Sequence, residues 1–192
     1  EGVSYVYCGI VNRDPWDPTL QTKTVYRQDI FEHSSYNPSN LNNDIGLIKL
    51  ASSLTLNDYV QPIPLVKRSH VPYSFEAEKV IVSGWGRTSD ASSSSSQILK
   101  FVELTVEDLN ICISNYGSTK VTANHICTKS ESGTKGACSG DSGGPMVSKC
   151  NGCLIGIVSF NAATGCESGG PTVYTRVANY LDWIKGITNL NV

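Results

Sequence analysis

Short, β-prone apolar runs broken by polar turn clusters dominate the chain. Runs at 3–10, 23–31, 45–50, 79–83, 99–106, 144–147 and 154–160 are punctuated by Gly, Asn, Asp and Ser, as short strands joined by turns are. Asn151-Gly152, ahead of the last run, is a two-residue hairpin signal. The period changes near the end, where Val177, Tyr180, Leu181 and Ile184 fall on one face and predict a helix over 177–187. A second helix of one or two turns is expected over 107–114. Many short strands with few helices favour an all-β barrel or sandwich over βαβ units.

Two segments interrupt this pattern. The proline-containing stretch 61–72 is the natural boundary between a unit spanning 1–70 and one spanning 71–192. Five consecutive serines, Ser92 to Ser96, bury nothing and read as a mobile surface loop open to nicking.

Composition narrows the function. The 192 residues are 40% hydrophobic, enough for a sizeable core, and carry a net charge of −2, which gives no basic face for nucleic acid. No apolar run approaches the length of a membrane span, and the chain opens without a signal-peptide pattern. Seven cysteines point to an oxidising compartment. A zinc site is poorly served, because Cys150-Asn151-Gly152-Cys153 has no second cysteine pair or nearby histidine in sequence. These two cysteines can pair across a hairpin base, and Cys8 is left over.

The chemistry concentrates in Gly140-Asp141-Ser142-Gly143-Gly144-Pro145, with Cys138 two residues ahead. A serine hydroxyl needs a base to become a nucleophile and N–H donors for the oxyanion it creates, and flanking glycines let amides converge beside it. A tight surface turn is the plain alternative. The stretch resembles the nucleophile loop of the chymotrypsin/trypsin-like serine peptidases. Further matches follow in that family's order: Asn43-Asp44-Ile45-Gly46-Leu47-Ile48-Lys49-Leu50, Ser83-Gly84-Trp85-Gly86-Arg87, Gly156-Ile157-Val158-Ser159-Phe160, and Pro171-Thr172-Val173-Tyr174-Thr175-Arg176-Val177.

The resemblance implies two six-stranded antiparallel Greek-key barrels, the first incomplete here, and a C-terminal helix. It implies a serine endopeptidase with Ser142 as nucleophile, Asp44 as acidic partner, and the N–H groups of Gly140 and Ser142 as oxyanion hole. Asp141 takes the activation role, pairing in the family with a processed apolar amino terminus. Disulfides are implied between Cys112 and Cys127 and between Cys138 and Cys166. Gly136 falls on the floor of the primary specificity pocket, Asn161 and Thr172 on its walls, and Ser159, Phe160 and Asn161 on the strand that pairs with substrate. An uncharged floor with larger wall residues than glycine is the elastase-like pattern, expected to favour small or medium uncharged side chains. Glu167, near this loop, reads as a solvated loop carboxylate, with help to a basic substrate residue as the alternative.

Two parts of the family pattern have no match. His33, His70 and His125 are the histidines present, and none stands in an Ala-Ala-His-Cys context; His33 precedes Asp44 but lies in a polar loop. Glu1-Gly2-Val3-Ser4 does not resemble an activated amino terminus. The chain alone is therefore expected to be inactive, with a separate N-terminal fragment carrying the histidine. Polypeptide substrates and protein inhibitors are the expected partners, and secretion the expected fate. Asp14 and Asp17 lie where some relatives bind calcium, but their types and spacing suit Asp-Pro turns, so no metal and no cofactor is assigned. A non-catalytic homologue serving as a binding module is the alternative function, and a purely structural disulfide-rich β protein the third.

Overall fold

Val80 and Val82 on one strand, and Leu104 and Val106 on its neighbour, are alternate residues with almost no exposed surface, so one face of each strand is committed to a core. In the computed structural model, which describes residues 2–71, 73–129 and 134–191, these strands belong to a closed six-stranded barrel. Four strands precede the barrel: β1 (Val3–Cys8) and β2 (Gln21–Tyr26) form one antiparallel pair, β3 (Ile30–Glu32) and β4 (Gly46–Ile48) another. The barrel itself comprises β5 (Lys79–Gly84), β6 (Lys100–Glu107), β7 (His125–Thr128), β8 (Pro145–Ser148), β9 (Leu154–Phe160) and β10 (Thr172–Arg176), in the cyclic order β10-β7-β6-β5-β8-β9. Every neighbouring pair in it is antiparallel.

The mostly β fold with a C-terminal helix matches the class expected from the sequence. The apolar run at 23–31 divides, however, because a single 3-10 turn at Arg27–Asp29 separates β2 from β3. Strands β7 and β10 were not among the expected runs. Helix α1 (Leu109–Tyr116) starts at Asp108, whose carboxylate accepts the Asn110 N–H at 2.8 Å, and stops at Gly117, where φ is +85°. It is tied to β7 by the Cys112–Cys127 disulfide. Helix α2 (Leu181–Thr188) follows a 3-10 turn at Val177–Tyr180 and buries Leu181 and Ile184.

The barrel core continues past the barrel. Ile45 and Val66, from before β5, belong to the same buried cluster as Val80, Met146, Ile155, Tyr174 and Leu181. By contrast, the β1–β2 pair buries Val25 but leaves Val3, Tyr5 and Tyr7 exposed. The serine-rich stretch is held more firmly than its composition suggests. The Ser96 N–H reaches the Trp85 and Gly86 carbonyls at 2.9 and 3.1 Å, and Arg13 Nη2 donates to Ser95 Oγ at 2.8 Å. The Gln97 side chain donates to the Arg13 carbonyl at 2.6 Å.

Candidate active site

Ser142 is exposed at a sharp turn between β7 and β8. Gly140 (φ +97°) and Gly143 (φ +81°) occupy backbone conformations that side chains strongly disfavour, which is why glycines flank the serine. The turn is closed by Asp141 N to Cys138 O and Gly144 N to Asp141 O, both 2.9 Å, and anchored to β9 by Gly143 N to Val158 O at 2.8 Å. Among the described residues, the N–H groups of Gly140 and Ser142 and the Ser142 hydroxyl meet no partner. Unused donors beside an exposed hydroxyl are what an oxyanion requires.

Asp141 points the other way. Its carboxylate accepts the Gly86 N–H at 2.8 Å and the Cys138 N–H at 2.9 Å. The Ser83-Gly84-Trp85-Gly86 stretch permits this, since a Cβ on Gly84 or Gly86 would come within 2.1 or 2.5 Å of the Asp141 carboxylate. Asp141 also lines a cavity of about 480 Å³ with Gly86, Arg87, Glu103, Gly136 and Cys138.

Asp44 enters the site from the turn before β4 and is fixed by the barrel. Ser159 Oγ on β9 donates to Asp44 Oδ2 at 2.7 Å, and Thr175 Oγ1 on β10 donates to the Asp44 carbonyl at 2.7 Å. The turn contains two residues with positive φ, Leu41 and Asn43, both at +59°. Such backbone persists only where contacts over-determine it. Here the Tyr180 hydroxyl donates to Asn43 Oδ1 at 3.0 Å, and Asn42 Nδ2 donates to the Thr119 carbonyl at 3.3 Å. Among the described residues Asp44 Oδ1 has no donor, so one carboxylate oxygen is fixed and the other is open.

The proposed pocket residues are brought together. A Cβ on Gly136 would stand 3.3 Å from Thr172 Oγ1, so floor and wall face each other. Asn161 Nδ2 donates to the Ala137 carbonyl at 3.0 Å, bridging the segment after β9 to the segment before the nucleophile. The Phe160 ring meets the Tyr116 ring edge-on at 5.4 Å, and the Tyr116 hydroxyl donates to the Pro171 carbonyl at 2.5 Å. Cys138 and Cys166 form a disulfide that joins the nucleophile loop to the loop after Asn161.

The histidines lie elsewhere. The His33 ring packs against Tyr180 and Trp183, at 5.4 and 5.2 Å between centroids. His70 packs against Tyr73 at 5.9 Å. His125 is 3% exposed on β7, and its Nδ1 accepts the Thr122 N–H at 3.0 Å. Burial holds the His125 pKa below the ordinary histidine value, although contacts with the Thr122 and Leu41 backbones and the nearby Asp44 charge oppose that shift. Cys8, Cys150 and Cys153 are free thiols. Among the described residues, one group of donors is close enough for a metal, Asp90 with Cys138 and Cys166, but both its sulfurs are in the disulfide.

Sequence reasoning assigned Ser159 only a place on the substrate strand, whereas its side chain holds Asp44. No local signal marks this bond, which joins residues 115 apart.

The trypsin family model matches residues 4–184. The chain is 40% identical over 170 residues to trypsin I-P1 of Gallus gallus, covering 88% of this chain and 65% of that protein. It is 37% identical over 166 residues to a collagenase of Hypoderma lineatum, covering 86% of this chain and 62% of the relative. The chain thus spans somewhat less than two thirds of the length of these curated relatives. Among solved structures, HL collagenase superposes with a TM-score of 0.87 at 34% identity, covering 99% of this chain and 78% of that one. Neuropsin, a mouse serine protease, superposes at 0.81 with 30% identity, covering 95% and 78%.

Proposed function

This chain belongs to the trypsin family, and on that premise we propose that it forms the larger part of a secreted serine endopeptidase whose nucleophile is Ser142. The observation that carries the reading is the half-held Asp44 carboxylate. Ser159 fixes one oxygen and leaves the other open to the N–H of an imidazole. In that arrangement a histidine base takes the Ser142 proton as the hydroxyl attacks a peptide carbonyl. The Gly140 and Ser142 N–H groups then receive the oxyanion, and water later hydrolyses the acyl-enzyme. His33, His70 and His125 are each engaged elsewhere, so the base is a histidine on a segment outside these residues. The exposed Val3, Tyr5 and Tyr7 face supports such a segment completing a first barrel, residues 1–70, beside the barrel of residues 71–192. Asp141, which lines its cavity and among the described residues meets only the Gly86 and Cys138 N–H groups, is suited to receive a processed amino terminus.

Specificity follows from the pocket. Gly136 supplies no charge at the floor, and the walls carry side chains that narrow the entrance: Thr172 faces Gly136, and Asn161 reaches across to the Ala137 carbonyl. Cleavage after Ala, Val or Leu is favoured and cleavage after Arg or Lys disfavoured. A fluorophosphonate probe tests the chemistry: the full-length protein is labelled, and Ser142→Ala is not. Absence of labelling overturns the enzyme reading in favour of a binding module. Peptide-library profiling tests the pocket, and dominant cleavage after Arg overturns the specificity.

A further inference from the structure

Two exposed loops far apart in sequence meet through a reciprocal pair of carboxylates. Asp90, between Trp85 and the serine run, accepts the Cys166 N–H at 2.8 Å through Oδ1 and the Glu167 N–H at 3.0 Å through Oδ2. Glu167 Oε2 returns the contact by accepting the Asp90 N–H at 2.7 Å. Neither carboxylate has a cationic side-chain partner among the described residues, so both are committed to backbone N–H groups. Gly165 admits this approach, because a Cβ there would lie 2.2 Å from Asp90 Oδ2.

The loop held by Asp90 is the pocket wall. It leaves β9 at Asn161, turns at Ala162–Gly165 through a 3.1 Å backbone bond, and reaches Cys166, which is bonded to Cys138 beside the nucleophile loop. The other loop contacts the nucleophile loop independently. Gly86 N donates to Asp141, and Arg87 N donates to the Ser139 carbonyl at 2.9 Å. Its far end is fastened to the early part of the chain by the Arg13 contacts with Ser95 and Gln97.

We propose that Asp90 is a positioning residue for the primary specificity pocket, using the Trp85–Ser96 loop as a strut that sets the wall from Asn161 to Glu167. The proposal deepens the peptidase reading above and rests on it for its kinetic consequence. Without the carboxylate, the Cys166 and Glu167 N–H groups lose their acceptor, and of the reciprocal pair only the bond from the residue-90 N–H to Glu167 remains. The wall then keeps the Asn161–Ala137 bond at its start and the disulfide at Cys166, but loses both N–H bonds that fix its 166–167 end against the strut. A substrate side chain entering the pocket meets a displaced surface, while Ser142 and Asp44 remain where β8, β9 and β10 put them.

The test uses the full-length enzyme and the variants Asp90→Ala, Asp90→Asn and Gly165→Ala. Amide hydrogen exchange is read at 165–167. Asp90→Ala is expected to raise exchange there and to lower kcat/KM by about tenfold, the worth of one charge-assisted hydrogen bond, mainly through KM. The fluorophosphonate labelling rate should stay unchanged, because that probe places no side chain in the pocket. Asp90→Asn retains one acceptor oxygen and should recover part of the loss. Gly165→Ala should imitate Asp90→Ala, and the double variant should lose no more than either alone. Unchanged exchange at 165–167 in Asp90→Ala overturns the proposal, as does raised exchange with an unchanged KM. Failure of the wild type to label would count against the peptidase reading, while the exchange measurement still judges the strut.

Discussion

Ser159 shows how much one hydroxyl can decide. Its bond to Asp44 Oδ2 determines which way the carboxylate faces, and hence where an imidazole must stand to use the open oxygen. Ser159→Ala leaves an adjacent carboxylate free to rotate while changing almost no volume. Hydrogen bonds to charged groups are worth about 1.5–3 kcal/mol, so kcat should fall about 10- to 100-fold with KM little altered. Steady-state kinetics of the full-length enzyme checks this; an unchanged kcat would mean other contacts hold Asp44. His125 makes a second residue-scale statement, this time about stability. Burial lowers its pKa below 6.5, so the folded protein prefers the neutral ring while the unfolded chain takes up a proton more readily. The unfolded state therefore binds more protons as pH falls below about 6.5, and stability present above that value is lost toward the folded-state pKa. Urea midpoints measured between pH 7.5 and 5 should show that loss. His125→Gln, neutral throughout, should flatten it.

At the scale of elements, β7 and α1 depend on each other through Cys112 and Cys127, both fully buried and 15 residues apart in sequence. A crosslink closing a loop of that size stabilises by about 3 kcal/mol in the chain-entropy view. Replacing both cysteines by alanine avoids burying an unpaired hydroxyl and isolates that effect. For a chain of this length the expected fall in the thermal midpoint is about 6–12 °C, read by circular dichroism. The same region shows why some elements were legible and others not. Strands β5 and β6 have one core face, and alternate burial leaves its period in their sequences. Strands β7 and β10 are buried at every position, His125–Thr128 and Thr172–Arg176, so they carry no alternation, and four or five residues are too few to distinguish from a loop. The turn around Ser142 was readable because its demands are local: glycines at 140 and 143 for positive φ, and an exposed serine between them. The Ser159–Asp44 bond and the Asp90–Glu167 clamp join residues 115 and 77 apart, and nothing in either segment names the other.

Across the whole molecule, the connection between the early strands and the barrel is secured by an unusual cation. Arg176 ends β10 with 8% of its surface exposed, and no carboxylate among the described residues pairs with it. Its guanidinium instead donates to the Val71 carbonyl at 2.7 Å and to the Tyr73 carbonyl, and lies 5.1 Å over the centre of the Phe75 ring. Desolvation pulls its pKa below the ordinary arginine value, but a guanidinium starts so high that it remains charged. Both bonds leave from Nη2, and the rigid planar group holds that nitrogen between the carbonyls while its carbon lies over the ring; an ammonium on a flexible, shorter stem has no such face to fix it there. Arg176→Lys keeps the charge and should nevertheless lose about 2 kcal/mol, roughly one charge-assisted hydrogen bond. The loss should appear twice: as a lower urea midpoint, and as faster proteolytic cleavage next to Val71, Tyr73 or Phe75, the residues the guanidinium touches. Cleavage at the wild-type rate with a lowered midpoint would locate the effect in the barrel alone. An unchanged midpoint would mean that the shared core of Ile45, Val66 and Val80 joins the two parts without this cation.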